Sequence, residues 1–226
     1  MSMNLGIERL EAIFSTVALQ EYGISRDELI QAAEDMALTC RDAWTLGLMR
    51  GFNGNMSIRL ASEKGTGCML VTGTGVAKGH MRAEDLALCD MEGHFLLGAK
   101  ISSETPMHVA VYARRPDAKA VLHVHPCALL ALSMRLKGER EQFLRMPVLE
   151  SALWQKALGF AAFYPNGSQE LASAVAAGFA DPAIRAVFME GHGLCAIGKT
   201  PAEALGVCEE LEHMGKMQLM SGCIAE

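Results

Sequence analysis

The stretch Ser102 to Pro126, SSETPMHVAVYARRPDAKAVLHVHP, limits the possible folds more than any other part of the chain. Pro106 suits the first turn of a helix, so a helix is expected to begin near Glu104. Its apolar face runs on to a turn at Arg115-Pro116-Asp117, and a short strand follows from Ala120 to His125. Residues i and i+2 of a strand point to one face. His123 and His125 can therefore converge on one point, as two metal ligands must. Glu104 adds a carboxylate, although a serine cap with an acid at the positive helix end is the plainer reading of that trio. His108, one helical turn further on, reads as a packed histidine with one hydrogen bond, outside the site. A third candidate, His192, lies between Gly191 and Gly193, which let the backbone turn sharply and leave the ring room.

The rest of the chain alternates helix and strand patterns. Leu5 to about Gln20 is spaced like a short amphipathic helix, broken by Gly23. Ser25 with Glu28 is a capping box opening a helix to about Leu48. Gly51 to Asn55 reads as a turn that can expose backbone N–H groups, with Met56 to Leu60 a strand. Cys68 to Val71 is a buried-strand run ending in Thr72-Gly73-Thr74-Gly75, where an anion can approach the backbone. Strands are expected at Asp85–Cys89 and His94–Leu97, and a helix at Ala128–Leu136. Glu139 to Phe143 reads as a polar surface loop, Met146 to Val148 as a return to the core, and Trp154 to Phe163 as apolar without a clear period. A capped helix from Leu171 to Phe179 precedes strands at Ala186–Met189 and Leu194–Ile197. A second capping pattern at Thr200 starts a helix to about Met220.

Composition narrows the function. No run approaches the ~20 apolar residues of a membrane span, and MSMNLGIERLEAIF lacks the pattern of a signal peptide. Seven cysteines without a C-x-x-C pair argue against a disulfide framework and for a reducing cytoplasm. A formal charge of −6 without a basic block offers nothing to nucleic acid. With no repeat or linker, residues 1–226 read as one domain, with 1–24 a helical extension. Three histidines at strand ends beside a carboxylate describe a catalytic zinc site, which binds neutral imidazoles and keeps one position open.

The motifs occur in a telling order: G-N-x-S at Gly54, T-G-T-G at Thr72, S-S-E-x-x-x-H at Ser102, R-P-D-A-x-A-V-x-H-x-H at Arg115, H-G-L at His192 and K-T-P-A-E-A-L at Lys199. From about Asp27 to Met220 the chain resembles the class II aldolase/adducin family. The resemblance implies a three-layer α/β/α sandwich around a mostly antiparallel sheet, and a homotetramer. It implies that His123, His125 and His192 ligate zinc, with manganese or cobalt as replacements, and that Glu104 accepts and donates a proton. It implies a phosphate pocket at Gly54, Asn55, Thr74, Gly75, Ser102 and Ser103. Glycine amides, small hydroxyls and a helix N-terminus suit a dianion.

The implied activity is cleavage of a small phosphorylated ketose to dihydroxyacetone phosphate and an aldehyde. Glu104 leans to the aldolases, because the family's epimerases usually carry Asp there. Phe52 stands where fuculose-phosphate aldolases have a small hydroxyl residue. The tyrosines, at 22, 112 and 164, do not match the two that those aldolases use at the aldehyde end. Glu150, near one missing tyrosine, reads as a surface carboxylate or a second acid/base. The family's epimerases, dehydratases and decarboxylases remain alternatives, as does a non-catalytic adducin-like binding module.

Overall fold

The computed structural model describes residues 5–65 and 67–222. Three helices come first: α1 (Ile7–Ile13), α2 (Thr16–Tyr22) and α3 (Arg26–Thr45). The sheet strands are β1 (Asn55–Leu60), β2 (Cys68–Thr72), β3 (Leu86–Asp90), β4 (Phe95–Gly98), β5 (Ala120–Val124), β6 (Leu158–Ala161), β7 (Ala186–Met189) and β8 (Gly193–Gly198). Between and after them run α4 (Thr105–Arg114), α5 (Cys127–Leu136), α6 (Leu149–Ala157), α7 (Gln169–Gly178) and α8 (Pro201–Ser221). The eight strands form one sheet in the order β4-β3-β2-β1-β5-β8-β7-β6, antiparallel except for the β6–β7 pair.

Helices cover both faces, which explains why the central strands read as continuous apolar runs. In β5, Ala120, Leu122 and Val124 join a core with Leu29 and Met36 of α3, Leu129 and Leu132 of α5, and Leu211 of α8. Val121 points the other way, into a second core with Met107, Val111 and Tyr112 of α4 and Leu171 and Val175 of α7. The result is the expected three-layer α/β/α sandwich with a mostly antiparallel sheet. His123 shares the face of Val121, so the strand's period of two carries its ring to the α4 side.

Four segments depart from the expectation or sharpen it. The first helix is two, because Ser15 accepts from Ala18 N–H and starts α2. The polar stretch after α5 holds a 3₁₀ turn at Arg140–Gln142, and Phe143 and Leu144 enter the core there. Of Met146 to Val148 only Met146 returns to the core, packing against it half-buried, while Pro147 and Val148 are exposed. Trp154 to Phe163 splits into the end of α6 and the edge strand β6. In α6, Leu149 and Leu153 are exposed while Trp154 packs on the core, so apolar residues on both faces blur the helical period.

Candidate metal and acid/base site

All candidate residues gather at one end of the sheet. That end holds the start of β1, the end of β2, the end of β5 and the β7–β8 turn, a consequence of antiparallel order. Asn55 pairs with His123 across β1 and β5. Val124 pairs with Leu194 across β5 and β8, placing the 190–193 turn beside the two strand histidines. The loop 99–104 arrives along β2, where Thr74 N–H donates to Lys100 O at 2.9 Å.

The three imidazoles converge. Nε2 of His123 and Nε2 of His125 lie 3.0 Å apart, and one ligand atom from each of His123, His125 and His192 falls within 4.8 Å of the others. Tetrahedral bonds of ~2.05 Å to zinc would put nitrogens about 3.3 Å apart. His123 Nδ1 lies 3.1 Å from Leu194 O, which fixes its proton on Nδ1 and leaves the Nε2 lone pair facing the other rings. Burial lowers the pKa of His123, and that of His125 to about 3, so both rings are neutral and ready to bind a cation. Glu104 Oε2 lies 3.4 Å from His123 Nε2, and Oε1 lies 3.2 Å from His192 Nε2. Oε1 makes no aligned hydrogen bond, and buried His192 Nδ1 also has no partner. Three imidazoles converging beside an under-satisfied carboxylate oxygen fit a divalent metal ion.

Glu104 occupies the N-cap of α4, yet its side chain makes no cap bond. The carboxylate turns inward and accepts from Asn55 Nδ2 at 2.5 Å. The capping reading therefore does not account for this residue. Burial alone would raise its pKa. The attraction of the His123 and His192 rings, at the acid pH where the carboxyl titrates and those rings gain a proton, and the Asn55 amide outweigh burial and hold it well below the usual carboxylate range. Glu104 is thus an anion at neutral pH.

Gly193 is needed for this convergence. A Cβ there would meet Val124 O at 2.4 Å, His123 Cε1 at 3.0 Å and His125 Cδ2 at 3.4 Å. We predict that Gly193→Ala loses roughly 1–3 kcal/mol by overpacking, a Tm drop of about 3–10 °C for a chain of this size, and weakens metal binding. Calorimetry with and without zinc checks this; an unchanged Tm and unchanged metal affinity would contradict it.

The residues expected to hold phosphate lie around this end of the sheet. Gly54, at φ +72°, passes so close to the strand that a Cβ would sit 2.8 Å from His123 O. Thr74 and Gly75 are exposed, Ser103 is exposed and Ser102 half-buried. Ser102 Oγ accepts from Glu104 N–H at 3.2 Å. Asn55 differs, because both ends of its side chain are engaged by Glu104 and His108. Phe52 is exposed on the loop before Gly54, and Glu150 is exposed in the first turn of α6. Lys78 had no motif to announce it. It is only 2% exposed, and its Nζ donates to Phe52 O at 3.3 Å, with burial lowering its pKa.

Three histidines that could hold a cation, beside a carboxylate at one end of an α/β/α sandwich, fit a class of metal-binding α/β proteins. Within that class, residues 34–219 match the model of the class II aldolase and adducin N-terminal domain. The chain belongs to that family. It is 30% identical over 181 residues to a 3-oxo-tetronate 4-phosphate decarboxylase of Haemophilus influenzae, covering 78% of this chain and 81% of that protein. It is 32% identical over 173 residues to a methylthioribulose-1-phosphate dehydratase of Methylococcus capsulatus, covering 74% and 83%. The crystal structure of an L-fuculose-1-phosphate aldolase from Thermus thermophilus superposes with a TM-score of 0.69 at 30% identity, covering 87% of this chain and 96% of that one. These relatives are enzymes named for small phosphorylated substrates. No helix among the described residues is long and apolar enough to cross a membrane.

Proposed function

We propose that the chain is a metal-dependent aldolase that cleaves a small phosphorylated ketose to dihydroxyacetone phosphate and an aldehyde. The observation carrying this reading is the convergence of three imidazoles on the under-satisfied oxygen of a buried glutamate. His123, His125 and His192 would hold the ion. Zinc suits three neutral nitrogens, with manganese and cobalt as replacements. When bound, the ion supplies a Lewis acid for the negative charge left when the C–C bond breaks. Glu104 moves the proton: in cleavage the carboxylate first takes up a proton, equivalent to the one released by the hydroxyl that becomes the aldehyde carbonyl, and Oε1 delivers it to carbon; in synthesis the anionic Oε1 takes it from that carbon. Gly54, Thr74, Gly75, Ser102 and Ser103 would receive the phosphate on backbone amides and hydroxyls, and the backbone of Asn55 continues that loop. The same reading makes residues 1–226 one domain of a cytoplasmic homotetramer. Exposed Met134, Leu149 and Leu153 are suited to burial between subunits.

A decarboxylase acting on an oxo-acid phosphate is the second reading. Tyr112, one of the three tyrosines, is buried against Ser57 and unavailable to substrate. The relatives also include a decarboxylase at 30% identity.

The test is a coupled assay of zinc-loaded protein on a panel of ketose 1-phosphates, scoring dihydroxyacetone phosphate. Release is expected from at least one sugar, and chelation should remove it, with zinc restoring it. No release from any sugar by zinc-containing protein, with carbon dioxide formed from an oxo-acid phosphate, would replace the aldolase reading with the decarboxylase one.

A further inference from the structure

We propose that His108 and Ser57 are positioning residues that act on Glu104 through Asn55, forming a buried hydrogen-bond chain in which each proton from Ser57 onward points toward the carboxylate. The inference rests on the acid/base role proposed for Glu104. Its geometry comes from two periodicities that meet. Glu104, His108 and Tyr112 stand four residues apart and form one stripe at the start and along the face of α4. Asn55 and Ser57 stand two apart on β1, opposite His123 and Val121, and so face the same side of the sheet.

The contacts are continuous. Tyr112 OH and Ser57 Oγ lie 3.0 Å apart, Ser57 Oγ and His108 Nδ1 2.7 Å, His108 Nε2 and Asn55 Oδ1 2.5 Å, and Asn55 Nδ2 and Glu104 Oε2 2.5 Å. All five residues are buried, so water cannot substitute for a missing partner. Asn55 presents its amide nitrogen to Glu104 Oε2 and its oxygen, which only accepts, to His108 Nε2. His108 must then carry its proton on Nε2 and leave Nδ1 bare. Ser57 O–H donates to that lone pair, while Tyr112 O–H donates to the backbone carbonyls of Ser57 at 3.0 Å and Lys119 at 3.3 Å and packs its oxygen against Ser57 Oγ. Burial lowers the His108 pKa to about 4, in keeping with a neutral ring holding a single proton. One tautomer of one histidine thus sets which end of Asn55 meets the acid/base.

Long-range proton–nitrogen NMR on ¹⁵N-histidine protein, zinc-loaded and near neutral pH, tests the assignment without any substrate. His108, identified by the signal lost in His108→Gln, should be neutral with its proton on Nε2. A proton on Nδ1 would overturn the proposal. Kinetics on whichever substrate is turned over supply the second arm. His108→Leu should lower kcat about 10–100-fold, the scale of lost supporting contacts in metal sites, with metal content and KM within twofold. His108→Gln offers a donor and an acceptor of the same polarity and should recover most of that rate. Equal losses in both variants, or none in His108→Leu, would show that polarity does not matter. Should His108→Leu fail to fold, the tautomer measurement still decides. A wild-type protein without aldolase activity would leave the NMR result standing, so the two failures are distinguishable.

Discussion

A His192→Ala protein is expected to purify without stoichiometric metal and to show no measurable turnover, while folding as the metal-free wild type does. Of the three imidazoles this is the cleanest to remove. His192 sits in the β7–β8 turn, where its backbone N–H donates to Met189 O at 3.1 Å. Its side chain is 12% exposed, and its Nδ1 has no partner to strand. Truncation therefore deletes a ligand and little else. His123→Ala should also lose metal and activity but is harder to interpret. His123 is fully buried and its Nδ1 serves Leu194 O, so the variant leaves a carbonyl unpaired at about 1–3 kcal/mol and opens a cavity.

The readout that separates ligand loss from misfolding is the response of Tm to zinc. A ligand at 100 times its Kd adds about 2.7 kcal/mol, or about 5–10 °C for a protein of this size. Wild type should show such a shift, and His192→Ala should lose most of it while keeping the metal-free Tm within a few degrees. Stoichiometric zinc with wild-type kcat in His192→Ala would remove that ring from the proposed site.

The legible parts of this fold share a cause, namely that a local period was tied to a local punctuation mark. Ser25, Ser168 and Thr200 each cap a helix through their own hydroxyl, as their spacing to the following acid or turn implied. β5 was readable because a turn at Pro116 precedes it and the i, i+2 histidines end it. The segments from 139 to 163 were not readable. Leu144 enters the core at a positive φ of 59° without glycine to announce it, and α6 leaves Leu149 and Leu153 exposed, which blurs its apolar face. Within the site, the histidine triad and Glu104 were legible as residue types in order. What spacing could not show is that Asn55 faces the carboxylate, because that follows from the β1–β5 register across the 67 residues of chain between Asn55 and His123. His108 as a packed histidine was legible, although both of its ring nitrogens are engaged where one hydrogen bond was expected. Its link to Glu104 through Asn55 was visible only as two periods, four on the helix and two on the strand, whose alignment tertiary structure decides. Lys78 was invisible, since a lysine in a polar turn gives no sign that its stem will be buried.

Glu104→Gln is expected to keep its metal and lose at least ~100-fold in kcat, about 2.7 kcal/mol of barrier. The amide is nearly isosteric. Its carbonyl can replace Oε2 as the acceptor for Asn55 Nδ2, so the chain behind it stays in place. What disappears is the negative charge and the oxygen that faces His192, the one able to carry a proton to carbon. The three imidazoles remain, so zinc content should stay stoichiometric and KM should move little.

Stability offers an independent check in the metal-free protein. A carboxyl whose folded pKa is depressed stabilises the fold above its unfolded pKa, near 4.3. That contribution fades as pH falls from there toward the folded value. Burial opposes this and the His123 ring, His192 and Asn55 overcome it, leaving the net direction downward. The wild type should therefore exceed Glu104→Gln in stability most clearly above about pH 5, and the gap should narrow below pH 4. The decisive chemical readout is exchange of the abstractable dihydroxyacetone phosphate proton in deuterated water, which requires the base and no aldehyde. Wild type should catalyse the exchange and Glu104→Gln should not. Exchange at the wild-type rate in the variant would show that another group moves the proton, and the inward turn of Glu104 would then be structural alone.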